Sequence, residues 1–220
     1  MLSRWAELAY PVFNFDRSFE RFVDTFNIPL GVTESVRGSQ VCELVARCMV
    51  ETGTSSFYIA LAEATDEPVL NEIHRRIAED EIAHYHLFHS YMRRYLKDEK
   101  LPLRERFRIA LERTAENEDD ELARVYWAAN RPDEPFERRS NSVAYAQATL
   151  KYYKPGHIAR AVEMIFGTLE LNPSGPRGWM AVRTVRTFLW YRTRFAPWAA
   201  VWASRLTGAE AGGISRAGTP

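Results

Sequence analysis

The sequence predicts an all-α protein. Three observations carry that expectation. Apolar residues recur at helical spacing along most of the 220 residues, no run alternates as a half-buried strand would, and Pro and Gly cut the chain into helix-length pieces. Composition agrees, with 46% hydrophobic and 26% charged residues, as in a folded domain rather than a disordered chain. The length suffices for one sizeable core, so one domain is expected.

The elements run in order. Residues 1–38 form an aromatic-rich helical segment in which Pro11 and Pro29 bound a short helix and a longer one near 16–27. Ser39 caps a long helix over about 40–63. Asp66-Glu67-Pro68 opens the next, with proline near its preferred first-turn position, and this helix runs to about Leu96 before Pro102 closes the region. The two make a hairpin over 39–102. The remainder, 103–206, starts with one helix over 103–130 that carries the acidic stretch Glu116 to Glu121. Pro132 and Pro135 end it, helices near 139–153 and 156–171 come next, and Asn172-Pro-Ser-Gly-Pro is a turn. A last helix spans 178–206 with a kink at Pro197, and 207–220 is a Gly/Ala-rich, flexible tail.

Charge and apolar runs exclude several classes. Lys plus Arg and Asp plus Glu are both 29, so no global field holds nucleic acid, and none is expected as a partner. The longest uncharged stretch near the C-terminus, Phe195 to Ser204, is ten residues, against roughly 20 for a bilayer span. The N-terminus has no signal-peptide run. Cys42 and Cys48, six apart on one helix, fall on different turns and read as buried small hydrophobes without a disulfide, which suits a cytoplasmic location.

The hairpin carries the chemistry. One stripe of its first helix is Leu44, Cys48, Glu51, Ser55, Tyr58, Ala62, with Glu51 where an inward residue belongs. The stripe on the second is Leu70, Ile73, Ile77, Glu81, His84, Phe88, Tyr91, interrupted only at Glu81 and His84. A buried carboxylate costs several kcal/mol unless it is paired or binds a cation. With the turn near residue 65, Glu51 lies about 14 residues back and Glu81 about 16 forward, an axial mismatch of only about 3 Å. Two carboxylates and an imidazole in one core ask for a metal, and hard oxygens with one nitrogen suit iron or manganese over structural zinc.

These residues also carry a resemblance. Glu51-Thr-Gly-Thr-Ser-Ser-Phe-Tyr, Glu67-Pro-Val-Leu and Ile77-Ala-Glu-Asp-Glu-Ile-Ala-His84 resemble the second half of a ferritin-like di-iron carboxylate protein, of the bacterial branch related to acyl-carrier-protein desaturases. The resemblance implies a ferritin-like helical bundle with additional C-terminal helices. It also implies Glu51, Glu81 and His84 as metal ligands, with a pair of irons as cofactor. Asp80 would accept from a histidine ring, and Thr54 would stand near the place where oxygen is handled. In that family dioxygen is reduced at ferrous ions and a C–H bond, or the iron itself, is oxidised. The resemblance thus implies a small-molecule or acyl substrate and a redox partner.

The family has a second Glu and Glu-x-x-His earlier in the chain. Here the five histidines are 74, 84, 86, 89 and 157, so no such motif stands upstream, and Lys154 precedes His157 by three. Three arrangements account for the missing half. The chain lacks an N-terminal segment, as suggested by the likeness of Arg4-Trp5-Ala-Glu-Leu to the stretch just after the family's first histidine motif. A homodimer supplies both halves by symmetry, which would also suit a ferroxidase. Or the bundle is a non-catalytic scaffold.

Other features have plainer readings. His74, His86 and His89 fall off the inward stripe, and His157 suits a local hydrogen bond at a helix start. The acidic stretch is a solvated face. Tyr58 and Tyr91 pack beside the carboxylates, Tyr58 being a supporting neighbour of the site. Trp179, Trp190, Trp198 and Trp202, interleaved with arginines over 178–206, suit packing on the bundle, a partner surface or a peripheral membrane contact.

Overall fold

The computed structural model describes residues 14–26, 35, 37–117 and 121–194. Among them stand eight helices and no strand: α1 Phe15–Thr25, α2 Gln40–Ala62, α3 Pro68–Glu99, α4 Leu103–Asn117, α5 Glu121–Asn130, α6 Arg138–Leu150, α7 Pro155–Thr168 and α8 Pro176–Arg194. The all-α expectation holds. The expected short helix before Pro11, the Pro197 kink and the tail lie outside the described residues.

Local chemistry sets the ends of the hairpin. Ser39 Oγ accepts from the Cys42 N–H at 3.2 Å, and the Glu67 carboxylate accepts from the Val69 and Leu70 N–H groups at 3.2 and 2.5 Å. Asn71 Nδ2 donates to the Ala62 carbonyl at 2.7 Å, which pins the start of α3 to the end of α2. Lys100 ends α3 in the left-handed region, φ 51°.

One expectation fails between residues 103 and 130. The expected single helix is two, α4 and α5, with 118–120 outside the described residues. The intervening Glu116-Asn-Glu-Asp-Asp-Glu121 places five carboxylates within six residues, where like-charge repulsion and the low helix propensity of Asp and Asn act together.

Helix α2 is central: it packs along α3 over its whole length and also meets α4 and α7. The core gathers Val41, Cys42, Val45, Ala46 and Met49 of α2 with Met92 of α3, Ile109 and Ala110 of α4, and Leu169 just after α7. Helix α7 covers one face of the hairpin. Tyr85 Oη donates to the Met164 carbonyl at 2.6 Å, and His89 Nε2 lies 3.0 Å from the Gly167 carbonyl with its ring stacked on Tyr85. A Cβ at Gly167 would sit 2.8 Å from Tyr85 Oη, so a larger residue there would have to displace the Tyr85 hydroxyl from its place against α7. Both cysteines are buried and free, as expected.

Candidate metal centre

Glu51 stands mid-way along α2, facing Glu81 and His84 on consecutive turns of α3. One donor atom from each lies within 4.8 Å of the other two. His84 Nδ1 is 3.3 Å from Glu81 Oε2 and 4.0 Å from Glu51 Oε2. The side chains of Glu51 and Glu81 are only 12% and 21% exposed, whereas His84 is 55% exposed. The cluster is a half-buried notch whose carboxylates point inward and whose imidazole forms the rim.

Burial, hydrogen bonding to Glu81 and the negative charge of Glu81 push the Glu51 carboxyl up to about 8. Two facing carboxylates in a partly dry site repel when both are ionised, so Glu51 keeps its proton through neutral pH. A divalent cation would compensate both charges. Two carboxylate oxygens and one imidazole nitrogen are a donor set that could hold a divalent cation.

Tyr58 lies one to two turns beyond Glu51, and burial and the charge of Glu81 raise its phenol. Its ring centroid is 5.8 Å from that of His74. The other two expected supporting residues, Thr54 and Asp80, stand on the same two helices. Thr54 donates to the Val50 and Glu51 carbonyls, at 3.1 and 3.3 Å, so its hydroxyl is spent on its own helix. Asp80 is exposed and makes no hydrogen bond or ion pair to a described histidine.

The expected inward stripe of α3 needs correction. The buried residues of α3 are His74, Ala78, Tyr85 and Met92, one position away from the expected line, while His84 and Tyr91 are exposed. The two lines cross at Glu81 and Phe88. α7 takes the Tyr85–His89 side, and no described helix covers the side that holds His84 and Tyr91. His74, expected off the inward stripe, is buried, and desolvation lowers its imidazole; its Nδ1 has no hydrogen-bond partner among the described residues. The spacing 74, 78, 85, 92 was the available signal. His157 behaves as expected: its Nδ1 accepts from the Lys154 N–H at 3.0 Å, leaving Nε2–H to face Glu63 at 3.2 Å.

No protein-family model matches the chain, and no curated protein or solved structure matches it at significance. The ferritin-like resemblance therefore rests on the residues themselves.

One turn from His84, along the uncovered side, Leu44, Leu87, Phe88, Tyr91 and Tyr95 line an apolar groove of about 390 Å³ with Gln40 and Glu43 at its rim. Arg47 stands beside two of the lining residues, its guanidinium 5.6 Å from the Phe88 ring centroid and 3.3 Å from Glu43.

Proposed function

We propose that the chain is an iron-binding protein of ferritin-like type, with Glu51, Glu81 and His84 as ligands, acting as an oxygen-dependent oxidoreductase. The observation that carries this reading is the convergence of the three side chains from two helices, with a carboxyl that holds a proton to about pH 8 for want of a compensating charge. Bound iron would supply the reduction of dioxygen. The chain's own part is to release the Glu51 proton on loading, to hold the cation between α2 and α3, and to leave His84 at the open edge. The apolar groove beside it suits a small apolar or acyl substrate. Manganese fits the same donors.

A second reading, a symmetric dimer that handles iron without an organic substrate, is favoured by the uncovered face around His84. The test is iron retained per chain after anaerobic ferrous loading and desalting, with oligomer mass read on the same sample. About one iron per chain in a dimer supports completion by symmetry, and retained iron in a monomer supports a one-chain centre. Glu81→Ala abolishes both iron retention and oxygen consumption. Unchanged iron content in that variant sinks the reading, and leaves the bundle as a scaffold whose melting temperature does not respond to iron.

A further inference from the structure

Arg47 stands on α2 one turn from Glu51 in one direction and one turn from Glu43 in the other. Its Nε lies 3.3 Å from Glu43 Oε1, and Glu43 Oε2 accepts from Ser35 Oγ at 3.1 Å, so both oxygens of that carboxylate are engaged. An arginine held through Nε still offers the far edge of its fork, the N–H groups of the two terminal nitrogens. Those groups have no polar partner among the described residues, and the side chain is 53% exposed. The positive charge also reaches Glu51, where it works against the upward push of Glu81.

The apolar groove lies beside this fork, through Phe88 and Glu43. Its α3 wall from Leu87 to Tyr95 spans eight residues, about 12 Å along the axis, and runs away from Glu81. Leu87 is 50% and Tyr91 44% exposed, so an alkyl chain laid there removes apolar surface from water. The lining residues include no Lys or Arg, which leaves Arg47 as the cation at hand. A carboxylate meets the edge of a guanidinium through two parallel hydrogen bonds, which an alcohol or ester cannot reproduce. A phosphate would bring a second negative charge close to Glu43 and Glu51, so a singly charged head suits the site better.

We propose that the groove binds a medium-chain aliphatic carboxylate, with its head paired to the terminal nitrogens of Arg47 and its tail laid along Leu44, Leu87, Phe88 and Tyr91 toward Tyr95. Glu43 is a positioning residue that holds the guanidinium. This deepens the oxidoreductase reading and rests on it for the consequence of binding: the carbons next to the carboxylate lie nearest the metal centre, and the chain end lies farthest from it.

The test is calorimetric titration of the full, metal-free chain with sodium decanoate, and with decanol as the uncharged counterpart. Saturable binding is expected at one decanoate per chain, about tenfold tighter than decanol. Affinity should rise about twofold per methylene from hexanoate to decanoate, as for a chain buried on one side. Arg47→Gln lowers decanoate affinity about tenfold and leaves decanol unchanged. Leu87→Glu, at a half-exposed position of the groove, weakens both ligands, and Arg75→Gln on an exposed part of α3 weakens neither. No saturable decanoate binding, decanol bound as tightly as decanoate, or equal loss in Arg75→Gln overturns the proposal. Iron retention is read on a separate sample. Iron retained without decanoate binding overturns this inference alone, and decanoate bound without iron retention supports the groove site while sinking the iron reading.

Discussion

The two faces of the α2–α3 hairpin are built on opposite plans. On the α7 side Tyr85, His89 and Thr168 reach backbone carbonyls, and Ser55 sits fully buried beside Met164. On the other side Glu51 and Glu81 face each other with only the rim imidazole between them and solvent, and apolar Leu87 and Tyr91 stand exposed. One face is finished by the fold; the other keeps electrostatic strain and apolar surface in reserve, as sites that await a ligand do.

The contrast can be broken most strongly from the finished side. Met92 is fully buried in the core, and Met92→Ala should cost about 2–5 kcal/mol, measured by urea unfolding. A loss below about 1 kcal/mol would mean that this side is loosely packed.

Acidity sharpens the contrast on the other face. The Glu51 carboxyl is raised from 4.5 to about 8, so the folded state binds a proton that the unfolded state has released between those values. Its stabilising contribution is therefore complete below about pH 4.5 and is lost as pH rises through about 8. Metal-free protein should show a urea midpoint that falls across this window by more than that of Glu51→Gln. Equal slopes for the two proteins would show that the carboxyls do not face each other.

The smallest effect is expected at Leu87, half exposed on the uncovered side. Leu87→Ala should change stability by less than about 0.5 kcal/mol. A loss comparable to that of Met92→Ala would reveal that another body covers this face in solution.

Much of the fold was legible because its signals are local. Ser39, Glu67-Pro68 and Pro102 mark helix ends through backbone chemistry that does not depend on the rest of the chain, and each helix of the hairpin begins within a residue or two of its expected place. Glu51, Glu81 and His84 were legible by register, since two helices pinned at one turn bring equally distant residues together. The inward face of α3 was not, because a helix has no inside until something covers it. Periods through Tyr91 and through Tyr85 are equally good in sequence, and α7, far along the chain, decides between them. Thr54 and Asp80 were placed by likeness to a family, and nothing in their spacing says where a hydroxyl or carboxylate will turn.

The bond from Asn71 to the Ala62 carbonyl makes the hairpin a pair of arms measured from one fixed point. Glu51 and Glu81 lie on those arms at nearly equal distances, 11 residues before Ala62 and ten after Asn71. Each added residue on one arm alone would swing its carboxylate by about 100° and shift it by about 1.5 Å. Between the pin and the carboxylates, the exposed positions of this stretch can therefore vary in composition but the stretch cannot vary in length, and a single-residue insertion or deletion there would be more damaging to the centre than a substitution at any of those exposed positions.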